Sequence, residues 1–364
     1  MTKEIKALTS ARGIAACLVM IYHFHQLDNI SSEALLSFIK KGYLWVDFFF
    51  VLSGFVMAMT YYAKFAGSYS WHNHKEFLLR RIGRIYPMYI FITLVISAYS
   101  LIVYGGYSGV HRPAVNLDDP VLAHITNIFM IQAWGFGKSI GGPTWSISTE
   151  WAAYLLFPIL IHLAIFSRLH FSWLAALAAS MCLYYIAGTY VPSKSQNGQL
   201  DVYYGINALP LLRCISGFYF GLFIFRFVKT KEIFFIYKDS AALAIIFCLI
   251  LLMAINANDL LIYPFLPLFV LALYGNKGYV ARFFANQLFY MLGLLSYSIY
   301  LLHHHFLVLL TQLQIRLSVY MPQMLANIMA AAIVYSLVIG GAYLCYRYIE
   351  KPSRNWFRRY SHKE

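Results

Sequence analysis

Apolar stretches about as long as a bilayer crossing, roughly 20 residues each, follow one another along almost the whole chain. They fall near residues 8–27, 41–61, 85–104, 146–166, 172–190, 209–227, 240–255, 260–274, 289–311 and 323–346. This pattern predicts an all-α polytopic transmembrane helix bundle of about ten spans, with residues 1–364 as a single domain. The two stretches between 240 and 274 are short and are separated by only a few polar residues around Asn256 and Asn258. They stand either as two crossings or as one re-entrant pair. Only 12% of the 364 residues are charged, against about a quarter in soluble domains. The 18% aromatic content suits interfaces and cavity walls.

A net charge of +14 would suggest nucleic-acid binding if it lay on one polar face. Here Lys and Arg gather at the ends of apolar runs, so topology explains them and nucleic acid is excluded as a partner. Placing both termini on one side sorts 21 of the 28 Lys and Arg residues to that side, which predicts cytoplasmic termini. Lys40, Lys41, Arg112, Lys138, Lys194, Arg213 and Arg316 remain opposite. The long loop over residues 105–145 is then external, and its half-apolar part, 124–134, is too short to span. Lys3 and Lys6 before an apolar run resemble a signal peptide. Arg12 and His23 bracket the run, however, and no small-residue cleavage site follows, so an uncleaved first helix is expected. The five cysteines are scattered through apolar stretches with no metal-ligand spacing, which predicts neither a disulfide framework nor a metal.

Ionisable residues inside apolar spans point to function by default, because they are costly there. Arg12 and His23 are eleven residues apart, which puts them on one helical face about 16 Å apart along the axis. Arg12 is either a positive-inside anchor or a functional charge, and for His23 the functional reading is favoured. Asp47 in the second span should lie at the depth of His23, where a carboxylate could orient the imidazole. Two separately paired polar groups are the alternative. Arg81 and Arg84 share a face at the entrance to the third span, either as anchors or as a bidentate grip on phosphate. Glu150, with Ser146 at i−4, lies one turn inside the fourth span, or simply favours the helix start. Ser296, Tyr300 and His303 share a face of the ninth span, in a polar cavity or in interhelical hydrogen bonds.

With these residues stand the motifs VDFFFVLSGF (46–55), RRIGRIYP (80–87), TWSISTEW (144–151), LGLLSYSIYLLH (292–303) and RYIEKP (347–352). Together with the Arg12–His23 separation, and in this order, they resemble the membrane-bound acyltransferase-3 family in its membrane-only form, over almost the whole length. The resemblance implies O-acylation of extracytoplasmic glycans, such as surface polysaccharides or lipopolysaccharide, using cytoplasmic acyl-CoA, with acetyl-CoA favoured. It implies a multi-pass protein of the bacterial cytoplasmic (inner) membrane, whose partners are the bilayer and a glycan or lipid-linked glycan acceptor. It makes His23 catalytic, Arg12, Arg81 and Arg84 donor-site residues, and Trp145, Ser146 and Glu150 acceptor-side residues. The expected site therefore places His23, Asp47 and Glu150 at the chemistry, the three arginines on acyl-CoA, and Trp145, Ser146, Tyr300 and His303 on the substrates. The competing class is an ion-coupled transporter or flippase using the same Arg, His, Asp and Glu residues as a relay; the absence of an internal repeat weighs against it. A non-catalytic scaffold would not need a polar column.

Overall fold

The computed structural model describes residues 4–24, 32–67, 69–104, 120–189, 197–202, 207–230 and 234–360. Lys3, Arg112, Lys194, Lys231 and Lys363, which entered the charge count, lie outside them, as does the first part of the 105–145 loop.

Among the described residues the chain is helical, without strands. The first half holds α1 (Lys6–His23), short α2 (Glu33–Lys40), α3 (Leu44–Phe65) and the long α4 (Trp71–Tyr104). After α5 (Pro120–Ile128), α6 (Trp145–Leu155) and α7 (Phe157–Ile161) form a broken rod bent by 66°. Then come α8 (Leu169–Gly188) and α9 (Leu209–Thr230). The second half runs through α10 (Asp239–Ala254), α11 (Asp259–Ile262), α12 (Phe265–Gly275) and α13 (Tyr279–Phe284). It closes with α14 (Gln287–Leu302), α15 (Leu307–Ser318), α16 (Gln323–Cys345) and α17 (Lys351–Tyr360).

Six helical stretches are long and apolar enough to cross a membrane, and the broken α6–α7 rod makes a seventh if counted as one span. The ten expected spans are therefore not all reached by length and composition. α1 carries Lys6, Arg12 and His23 within 18 residues. The 240–274 region resolves into α10 and α12, of only 16 and 11 residues. Large apolar side chains such as Leu177, Met181, Phe247, Ile328 and Leu337 face outward. The chain is thus built as an integral membrane protein, since such side chains face lipid at no cost.

Small residues set the helix contacts that frame the interior, as close packing in lipid requires. α1 lies against α14 with backbone touching backbone: a Cβ on Gly13 would sit 2.3 Å from the Gly293 nitrogen. α3 and α9 approach in the same way through Gly54 and Gly221. The half-apolar loop segment folds as α5 followed by a π-turn over Gln132–Phe136. Buried Gln132 ties this turn to α4 by donating to the Tyr89 hydroxyl (3.0 Å) and to the Thr144 carbonyl (3.2 Å). The described part of this loop, from residue 120, is therefore tied by buried hydrogen bonds to α4 and to the segment before α6.

Candidate active site

α1 and α14 run side by side, so residues eleven apart on one helix meet the other twice. Near its start α1 turns Arg12 toward α14, where Nε donates to Ser296 Oγ (2.8 Å) and a terminal nitrogen to the Gly293 carbonyl (2.9 Å). At its end α1 brings His23 to His303, just past α14, with Nδ1 of the first 3.1 Å from Nε2 of the second. The 3.6-residue period had placed Arg12 and His23 on one face, and that face is the one against α14.

The backbone fixes the proton positions in this histidine pair. His303 Nδ1 faces the Ile299 carbonyl at 3.2 Å, and His23 Nδ1 faces the Val19 carbonyl at 3.0 Å. A carbonyl oxygen only accepts, so the hydrogen-bond network assigns a proton to both Nδ1 atoms. Nε2 of neutral His303 then accepts from His23, and the basic nitrogen of neutral His23 is its Nε2. Two imidazolium rings in this contact would repel, so the two rings do not carry charge together.

Asp47 takes a different place from the one expected. It lies near the depth of His23, since Tyr22 packs against Tyr43, but its carboxylate is turned to α9. Arg213 grips it through Nε (2.9 Å) and Nη2 (2.6 Å), and also donates to the Val202 and Tyr43 carbonyls. Both partners are completely buried. Asp47 therefore holds a buried ion pair and does not orient His23. His303 fills the expected role of partner. Trp145 belongs to the same structural cluster, with the Arg213 guanidinium 5.5 Å from its ring centre. Lys41, counted on the outer face, is likewise buried, against Asp259 (2.7 Å).

A cavity of about 390 Å³ opens between α1, α3, α4, α6 and α14. It collects Arg12, Arg81, Arg84, Ser146, Glu150 and Tyr300 from the expected site, and adds Ser53, Tyr154 and Arg354. Glu150 accepts hydrogen bonds from both Ser53 and Tyr154. Arg81 stands within a ring of aromatics, 5.7 Å from the Tyr61 ring centre and 6.0 Å from that of Tyr154, where cation–π attraction holds it. At the opposite end of the lining, Ser146 and Tyr300 share a hydrogen bond of 2.8 Å. The Tyr300 ring lies 5.8 Å from that of His303. Polar groups thus continue from the arginines to the histidine pair, although His23 and His303 lie behind Tyr300 and do not line the cavity. No group of three or more His, Cys, Asp or Glu side chains is placed to hold a metal among the described residues.

Of the residues not anticipated, Ser53 sits inside the motif at 46–55 and Arg354 one helical turn beyond Glu350 of RYIEKP. These positions were the available signal for them. Arg213 had no such signal.

Residues 5–347 match the family model described as acyltransferase domain. O-acetyltransferase OatA of Staphylococcus aureus (strain NCTC 8325 / PS 47) is 24% identical over 386 aligned residues, covering 97% of this chain and 57% of that protein. Acyltransferase MdmB of Streptomyces mycarofaciens is 28% identical over 168 residues, covering 43% of this chain and 39% of that protein. The chain thus spans little more than half the length of the curated O-acetyltransferase it matches. No solved structure matches it.

Proposed function

The chain belongs to the acyltransferase-3 family, and from that premise we propose that it transfers an acyl group, acetyl first among candidates, from coenzyme A to a glycan hydroxyl. The donor enters at the arginine end of the cavity, on the cytoplasmic side. The acceptor meets it at the histidine end, outside, so the reaction crosses the membrane while neither substrate does. The observation that carries this reading is the polar column itself. It runs from Arg12 and Arg84, through Glu150, Ser146 and Tyr300, to the pair His303–His23.

In this scheme the thioester arm extends up the cavity until its carbonyl passes Tyr300. His23 Nε2 removes the proton of the acceptor hydroxyl, and the alkoxide oxygen forms its bond to the thioester carbon. The negative charge moves to the carbonyl oxygen, where the Tyr300 or Ser146 hydroxyl donates a hydrogen bond. Collapse breaks the carbon–sulfur bond, and the thiolate takes up the proton from His23. The products are an O-acyl glycan and coenzyme A, with the enzyme unchanged. His303 acts through His23 by holding its tautomer, and is a positioning residue. Tyr300 must swing aside for the thioester to reach His23, and its shared hydrogen bond with Ser146 gives it a closed position to leave.

The test is mass spectrometry of cell-envelope glycans from strains with and without the gene. The expected result is O-acyl substituents that vanish on deletion and return with the wild-type gene. Indistinguishable glycan profiles would overturn the proposal.

A further inference from the structure

The last described helix, α17, follows α16 through a π-turn over Tyr346–Glu350 and lies across the start of α4. Its seat is specific. A Cβ on Gly83 would stand 2.4 Å from Phe357 Cβ and Cγ, so Phe357 rests directly on the α4 backbone. Arg354 is three residues earlier, on the same helical face, and forms part of the cavity wall beside Arg84 and Arg12. Trp356 points away, and Arg359 is exposed.

Charge is unbalanced at this mouth. Arg12, Arg84 and Arg354 lie within one another's fields. Two carboxylates share these fields, so three cations face two anions: buried Glu350, which also accepts from Ser298, and Glu4, which also accepts from Thr9 and Tyr290. Arg84 and Arg354 make no hydrogen bond or ion pair among the described residues, although each guanidinium carries five donors. Three cations lining one end of a cavity, two with all donors unused, form a site for a ligand bearing more than one negative charge.

We propose that α17 is part of the donor site, with Arg354 and Arg84 together gripping a phosphate of the nucleotide end of the thioester donor. This rests on the reading of coenzyme A as donor and adds to it a residue from the helix that follows α16. Planar guanidiniums bind phosphate oxygens in pairs, so the contact holds the nucleotide at the mouth while the pantetheine arm reaches inward. The phosphate of an anionic lipid offers the same chemistry, and the test separates the two sources.

Purified protein in neutral detergent is titrated with coenzyme A, and turnover is measured with acetyl-CoA and with acetyl-pantetheine, which lacks the phosphates. Arg354→Gln should weaken coenzyme A binding about tenfold or more, the scale of one lost charge-assisted contact. Its turnover with acetyl-pantetheine should match wild type. Arg354→Lys should recover part of the loss, and Arg359→Gln should bind coenzyme A like wild type. Equal coenzyme A affinity in wild type and Arg354→Gln overturns the inference. So does an equal loss with both donors, which would make α17 a structural brace, or a loss seen only when phosphatidylglycerol is added, which would assign Arg354 to lipid. If wild type itself fails to bind coenzyme A, the donor reading falls, and this contact falls with it.

Discussion

Replacing His23 by alanine should lower acyl transfer at least about a hundredfold while leaving the protein folded and coenzyme A binding unchanged. The expectation follows from position. His23 ends α1 beyond the cavity, more than ten residues from Arg12, so its loss leaves the donor end untouched. Its Nε2 is the basic nitrogen of a neutral ring whose proton is held at Nδ1 by Val19 and His303. A positioned base contributes about 10²–10⁴-fold, and turnover should fall by at least the lower figure. The rate of the wild type should also decline as pH drops, because protonation of His23 consumes the lone pair that the reaction uses. His303→Gln should lower turnover less than His23→Ala, since the base remains but its orienting partner is changed. Comparable turnover in His23→Ala and wild type, measured at equal coenzyme A occupancy, would make His23 structural.

Asp47→Ala should act on folding before it acts on chemistry. Removing the carboxylate leaves the Arg213 guanidinium fully buried without its counter-charge, and breaking such a pair costs about 3–5 kcal/mol. Arg213 also bonds the Val202 and Tyr43 carbonyls, so the start of α3 and the 197–202 segment should loosen with it. The variant is expected to lose most of its monodisperse, detergent-soluble yield, or to unfold at a much lower temperature. Replacing both partners with apolar residues, as in Asp47→Leu with Arg213→Met, should recover part of that stability because no orphan charge remains. An Asp47→Ala protein that melts like wild type but is inactive would restore the carboxylate to the catalytic role first expected of it.

That reversal shows where the sequence was readable and where it was not. Spacing along one helix is legible, because 3.6 residues per turn decide which side chains share a face; Arg12 and His23 illustrate it, and both meet α14. Depth is partly legible, since Asp47 does lie near the level of His23. Rotation about the axis of a helix apolar on all sides is not, because nothing in its pattern says which neighbour a polar residue faces. Asp47 therefore could not be assigned to Arg213, 166 positions away. Counting Lys and Arg by side had a related blind spot. Lys41 and Arg213 were counted on the outer face, yet each is buried against an aspartate. Arg354 was counted only among the 21 basic residues of the cytoplasmic side, since amphipathic spacing in α17 does not disclose that one face closes a cavity. His303 was read as sharing a face with Tyr300 and Ser296, but it lies behind Tyr300 and outside the cavity they line, and its contact with His23 depends on the Gly13–Gly293 approach of two distant helices.

The central claim is that an acyl group passes through the bundle from coenzyme A on one side to a hydroxyl on the other. It is tested most directly in sealed proteoliposomes of purified protein, with acetyl-labelled acetyl-CoA supplied only at the face carrying Arg12 and Arg84. A glycan acceptor is confined to the opposite face. The account predicts labelled ester on the acceptor, an equal amount of coenzyme A thiol released on the donor side, and neither when His23 is alanine. Label that fails to reach the acceptor, or an acceptor that crosses the membrane without becoming acylated, would contradict it.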